Sequence, residues 1–450
     1  MRIKTWETIY NKMSFINVWK KFYNSEAFHL LINVFIGIAI AVFMFGVEHT
    51  DWGEANINKA FDFGIKVEAS KSTKAMESLK AQRNIHISDR IVFAEIDHET
   101  YKKWGSPLLT PRVKLAEIVK IAHEGGAKII ALDVLLENKD CCHPQDDLIL
   151  RKTLQDITDK KSTTKVIFPV SIDYDGKKRK NIFQDLIDQN PNFYIASAQI
   201  SASVTDRIIR YWVPFETIKN DNGGNIIWNI SFLVAMLDKG KEREIRKFEK
   251  TIISGKFHKD HRIELDHDRF ITISPDRDEI YRNRIRFFLI PKNTLSNYPG
   301  GNLFENAYNI DEIKHVSLKD KIVIIGNSSP DAGDIHHTPV GDMAGIFIIG
   351  NAVNTISLGI QPSPSPLWLS IIIDIAFIFM AAFLFLNKLK SFKAQIISYL
   401  AIFIFMIVSW YVFIKTGIVL NFVFAWIGIN VHSTISYIED DLKKRRTNEN

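Results

Sequence analysis

Cysteine is nearly missing from this chain: only Cys141 and Cys142 occur in 450 residues, and adjacent cysteines bridge only with strain, so a disulfide framework is excluded. The redox compartment stays undecided by that count. Also missing are a G-x-S-x-G elbow, an H-E-x-x-H pair and a phosphate-cradling glycine loop, which removes the usual sequence grounds for a serine hydrolase, a zinc peptidase or an NTPase. Internal repeats and low-complexity tracts are absent as well. Strong charge of one sign is lacking: the net charge is +6 and the pI near 8.9, and the basic residues are dispersed or sit beside apolar runs. They read as membrane-topology signals, and nucleic acid is not expected as a partner.

What the chain does have is segregation. A mean hydropathy of −0.02 averages a polar middle with four long apolar runs, Phe28–Val47, Leu367–Leu386, Ala394–Ile414 and Ile418–Ile438. Each is about the 20 residues that cross a bilayer as a helix. Residues 1–27 interleave Lys and Arg with aromatics like an interfacial segment, and GVEHTDWGE after the first run offers no small-x-small cleavage site, so that run is expected to remain as an anchor. Lys388, Lys390 and Lys393 lie between the second and third runs, and Lys443, Lys444, Arg445 and Arg446 follow the fourth. By the positive-inside rule both termini face the cytoplasm and residues 48–366 lie outside, with the bilayer itself as a partner.

The outer segment alternates strand and helix patterns. After a polar, partly helical stalk (Asp51–Asp89), RIVFAEID (Arg90–Asp97) reads as a strand ending in an acid. Thr110 is expected as a helix N-cap with Pro111 in the first turn, Leu115, Ile118, Val119 and Ala122 as the apolar face, and Gly125–Gly126 as the stop. AKIIALDVL (Ala127–Leu135) completes a βαβ unit. A helix opened by Asp146 and Asp147 and a strand over Lys165–Ile172 follow. Further strands are expected near Tyr194–Val204, Arg207–Val213, Phe270–Ser274 and Arg284–Ile290, with a helix around Trp228–Leu237 and KGKEREIRKFEK as its solvated end. KIVIIG (Lys321–Gly326) is a doubly buried strand, followed by a polar loop and, from Ala344, an apolar helix. QPSPSP (Gln361–Pro366) is a stiff extended linker into the second run. The fold class expected is an α/β extracytoplasmic domain with a mixed, largely parallel sheet flanked by helices, plus four transmembrane helices, one before and three after.

AEID at 94–97, Trp104 with Pro111–Arg112, GAKIIALDVL at 126–135, KIVIIG at 321–326, then Asp334, Thr338–Pro339, Gly345 and Asn351–Ala352 resemble the motifs of CHASE2 sensor domains. One membrane helix before and three after the domain resemble that family's layout too. A Trp-Pro-Trp element is reduced here to Trp104-Gly105-Ser106-Pro107. The resemblance implies an extracytoplasmic sensor, with homodimerisation as a possibility. Relatives continue into a cytoplasmic kinase or cyclase transmitter; about twelve residues after the last run are too few to fold into one, so a separate effector is expected.

In a parallel sheet, residues at the carboxyl ends of strands converge on one edge. Asp97, Asp133, Asn327 and Ser328 hold such positions, and Asp334, His336 and His337 arrive on the adjacent loop. With Arg112 from the family motif they form the candidate ligand set, able to take a polar ligand or a divalent ion. Against this, Asp and Asn commonly do no more than cap helices and turns. Cys141-Cys142-His143 lacks a second ligand cluster and reads as a surface loop. Asp374, about seven residues and roughly 10 Å into its helix, is the intramembrane acid, with Ser409 as partner by depth. The expectation is a non-enzymatic receptor subunit with no cofactor, sensing an unidentified small molecule or envelope state. An extracytoplasmic metal-dependent enzyme and a structural membrane scaffold are the competing classes.

Overall fold

The computed structural model describes residues 35, 43, 46, 50–69, 89–140, 143–159, 162–220, 223–254, 260–266, 269–274, 281–291, 303–304, 306–386 and 391–420. They fall into two compact units: Asp62–Pro362, and the chain on either side of it.

Six parallel strands organise the larger unit. β1 (Ile91–Ile96), β2 (Ile129–Asp133), β3 (Lys165–Val170), β4 (Phe193–Ser197), β5 (Ala307–Tyr308) and β6 (Ile322–Asn327) lie in the order β5-β1-β6-β2-β3-β4. The expected α/β class with a largely parallel sheet is therefore observed. Helices cover both faces, so β1, β2 and β6 are buried on each side, and that burial explains their unbroken apolar, β-branched runs. β6 comes last in the chain yet is inserted between β1 and β2. This insertion brings the residues after KIVIIG beside the ends of both early strands.

α1 (Asp51–Ala69) precedes the sheet, α2 (His98–Lys103) follows β1, and α3 (Arg112–Glu124) and α4 (Pro144–Asp159) cover one face. There Leu115, Ile118, Val119 and Ala122 of α3, with Leu150, Leu154 and Ile157 of α4, pack on Val92, Ala94, Ile130, Leu132, Val166, Phe168, Val323 and Ile325. α5 (Ile230–Asp238) and α6 (Gly345–Leu358) pack on each other and on the opposite face. A methyl group on Gly350 would collide with the Phe93 ring, so glycine at that position sets how closely α6 approaches β1.

Several elements differ from expectation. Pro111, not Thr110, takes the N-cap of α3, and no side chain caps it. KGKEREIRKFEK is not the solvated end of α5; from Glu242 it belongs to a separate helix, Glu242–Ile253, which buries Ile245 and Phe248. The polar loop after β6 folds into an antiparallel hairpin of β7 (Ile335–Thr338) and β8 (Gly341–Ala344), joined through Pro339–Val340. Of the strand expected over Arg284–Ile290 only Asn283–Arg284 and Ile290–Pro291 pair with other strands. The buried backbone between them is held by side chains of α6: Asn351 Oδ1 accepts from the Leu289 N–H (2.7 Å), its Nδ2 donates to the Leu289 carbonyl (2.8 Å), and Thr355 Oγ1 bonds both the N–H and C=O of Arg286.

The smaller unit contains α7 (Leu367–Leu386) and α8 (Ser391–Thr416). Among the described residues one helix, Ile396–Thr416, is long and apolar enough to cross a membrane. QPSPSP is extended, and Ser363–Pro364 pairs in parallel with Ile418–Val419. The run expected to be helical from Ile418 thus begins as strand, because Gly417 at φ 75° turns the chain out of α8. Residues 421–450 and 1–34 lie outside the described residues, as do all of Phe28–Val47 except 35, 43 and 46, which are helical.

Candidate functional site

The strand register sets the geometry. Glu95 of β1 and Asp133 of β2 are both aligned with Gly326 of β6. Neighbouring residues at one register in a parallel sheet point to the same face, so the two carboxyls flank a glycine about 10 Å apart, two strand spacings. Gly326 has no room for more: a Cβ there would sit 3.0 Å from Asp133 Cβ and 3.3 Å from Ile346 Cβ at the start of α6.

Asp133 belongs to a cluster with Asp334 and His336. His336 Nε2 lies 2.8 Å from Asp334 Oδ1, and the Asp334 carboxylate rests against Gly345, the first residue of α6, where a methyl group would collide with it. Negative charge at that position is stabilised by the amino-terminal end of the helix. Burial, and then the neighbouring Asp334 carboxylate, push Asp133 up to about 7, with His336 pulling in the opposite direction. The hydrogen bond to Asp334 raises His336 above the usual imidazole range.

On the other side of β7 the sheet edge opens into a cleft of about 380 Å³. Glu95, Asp97, Glu99 and Asp342 supply carboxylates to its wall, His98 and Ser328 further polar atoms, and Pro330, Ile335, Ala344 and Phe347 an apolar surface. Phe347 is fixed edge-on to Phe93, with ring centroids 4.9 Å apart. Glu95 is 4% exposed and accepts a 2.7 Å hydrogen bond from the Ser328 hydroxyl. Burial raises its carboxyl above the ordinary range, the Ser328 hydroxyl lowers it, and Asp97 and Glu312 raise it further.

The structure divides the sequence candidates. Asp133, Asp334 and His336 come together, while Asp97 and Ser328 line the cleft instead. The expectation that both histidines and Asp334 face Asp97 and Asp133 is corrected: alternation along β7 turns Ile335 into the cleft and His336 toward Asp133, and leaves His337 exposed on Asp342, 2.5 Å away. Asp97 also caps α2, accepting from the Thr100 N–H at 2.8 Å, and Asn327 accepts from the Ser329 N–H at 2.8 Å, the local duties such residues commonly have. Arg112 is 1% exposed, aimed at the Thr110 and Asn138 carbonyls and 3.5 Å from Asp147, so it ties the start of α3 to α4 rather than meeting a ligand. Ser409 Oγ donates to the Leu420 carbonyl at 2.8 Å, a partner other than the expected Asp374, whose side chain lies outside the described residues.

Glu95, the most buried acid of the cleft, is not among the sequence candidates. Its signal is a charge inside an apolar run, RIVFAEID, two positions before Asp97 and so on the same face. Near His143, Asp140 and Asp146 bring ligand atoms within 4.8 Å of one another, close enough to share a cation. Asp140 already accepts from the His143 N–H at 2.9 Å, and the Arg112 guanidinium is its electrostatic neighbour; Cys141 and Cys142 lie outside the described residues.

A family profile described as CHASE2 domain matches residues 35–386. No curated protein and no solved structure matches the chain.

Proposed function

The chain belongs to the CHASE2 domain family, a sensory domain of extracytoplasmic type, and from that premise we propose that it is a membrane-anchored sensor that holds a ligand in the acidic cleft and relays occupancy to a separate effector protein. One observation carries this reading. Phe347 and Ala344, where α6 begins, line the cleft, and the chain passes from the end of α6 at Leu358 through only 359–366 to α7. A ligand that favours one position of α6 therefore acts on the element leading directly into the first apolar helix behind it.

The reading includes four membrane crossings with both termini in the cytoplasm, supported by the basic residues flanking the apolar runs. It also includes a non-enzymatic role without a cofactor. Ser328, the hydroxyl in the cleft, is engaged by the Glu95 carboxylate, and the neighbouring Ser329, whose hydroxyl lies 3.2 Å from His98 Nδ1, is 1% exposed, so neither is presented to a substrate as an activated nucleophile. Deleting residues 90–355 from the native chain abolishes the response of the intact system; a response that persists in full rules out sensing. Co-purification from native membranes in mild detergent identifies the effector.

A further inference from the structure

We propose that the ligand of this cleft is an organic cation, a protonated amine carrying an apolar group. The inference rests on the ligand-cleft reading above and names the chemistry that cleft selects. Four carboxyl side chains, Glu95, Asp97, Glu99 and Asp342, reach the wall, and no lysine or arginine lines it among the described residues. Two of the four are partly or wholly unanswered. Glu99 is exposed and makes no hydrogen bond or ion pair among the described residues, and Glu95, nine-tenths buried, has a partner on only one of its oxygens, Ser328. The second Glu95 oxygen is an unused acceptor that is not sealed off, so a donor entering the cleft can meet it. A cation bearing N–H groups is the complementary donor.

The same geometry distinguishes an amine from a metal ion. Calcium or magnesium needs its oxygen ligands drawn together, at 2.0–2.6 Å from one centre. Among the described residues only Asp140, His143 and Asp146 bring three ligand atoms within 4.8 Å of one another, so the cleft carboxylates are spread too widely to enclose an ion. A volume of about 380 Å³ suits an organic molecule. Phe347, Ile335 and Pro330 give its carbon skeleton an apolar surface to cover.

The test is thermal unfolding of the full chain in detergent micelles with benzylammonium as the probe, set against benzyl alcohol at equal concentration and sodium chloride at equal ionic strength. Benzylammonium raises the midpoint saturably and the two controls do not; Glu99→Gln, at an exposed position without a side-chain partner among the described residues, weakens the effect severalfold, and Glu95→Gln with Glu99→Gln weakens it tenfold or more. Stabilisation by the alcohol equal to that by the amine, no saturable effect of the amine, or an effect undiminished in the Glu99→Gln protein overturns the proposal. Filling the cleft with Ala344→Leu separates the two levels of inference. Loss of the biological response in that variant, with no amine bound by the native chain, removes only the cationic ligand; a response unchanged in a folded Ala344→Leu protein removes the cleft as a sensing site.

Discussion

Asp133 is the single residue through which the larger unit is expected to be sensitive to pH. Its carboxyl belongs near 3.8 in an exposed chain and is raised to about 7 in the fold, by burial first and by Asp334 second. Between those values the folded state holds a proton that the unfolded state has released, so this group's contribution is complete below about 4 and is lost as pH rises through about 7. His336, raised by Asp334, loses its proton in the same direction. Asp133→Asn keeps the shape and removes the titration. The variant is therefore expected to gain roughly 1–3 kcal/mol relative to the native chain on going from pH 5 to pH 8, read as the difference between the two proteins' urea-unfolding free energies at each pH. Parallel pH profiles for the two proteins would show that Asp133 does not titrate in this range.

At the scale of the element, α6 explains why the Gly345, Asn351 and Ala352 pattern is built as it is. Gly345 leaves room for the Asp334 carboxylate, and Asn351 uses its amide to pair the backbone of Leu289, standing in for a strand neighbour at that position. Asn351→Leu leaves a buried N–H and a buried C=O unpaired, at about 1–3 kcal/mol each, so a destabilisation of about 2–6 kcal/mol is expected in chemical denaturation. Asn354 is a control on the same helix. It is equally buried, but neither of its side-chain polar atoms has a partner among the described residues, so Asn354→Leu is expected to be near neutral or stabilising. Equal losses at the two sites would contradict the assignment of Asn351 as a backbone surrogate.

Across the whole molecule, two predictions concern how the larger unit is tied and on which side of the membrane it lies. Arg210, 2% exposed, bonds Asp62 of α1 through both Nε and Nη2 (2.9 and 2.7 Å) and also bonds Asp206, which it holds down at about 2. Arg210→Ala leaves Asp62 buried without its cation and is expected to cost about 3–5 kcal/mol, measured as earlier release of α1 in hydrogen exchange. For Asp206 the sign is opposite to that of Asp133: a depressed carboxyl stabilises the fold above about 4 and loses that contribution as pH falls toward 2. Topology is checked with a cysteine-free chain. A membrane-impermeant thiol reagent applied to intact cells is expected to label Tyr174→Cys, at a fully exposed position of the larger unit, and to spare Lys390→Cys until the membrane is opened. Labelling of both from outside would reverse the proposed orientation.

Periodicity and composition alone were enough to determine the α/β class, the strands RIVFAEID, AKIIALDVL and KIVIIG, the last of them as buried on both faces, the apolar face of α3 and the positions of the long apolar runs, because burial on both faces or on one face imprints itself directly on residue order. They also placed Asp133, Asp334 and His336 at strand ends and on the loop that follows. Contacts made across long separations could be decided only by the tertiary structure. The insertion of β6 between β1 and β2 sets Glu95 and Asp133 beside Gly326, and the hairpin within the polar loop sends His336 to one side and His337 to the other. Which carboxyls share a cleft, and which merely cap a turn, depends on strand order and on a register that changes every side chain's face when it slips by one residue. Local pattern carries no record of either.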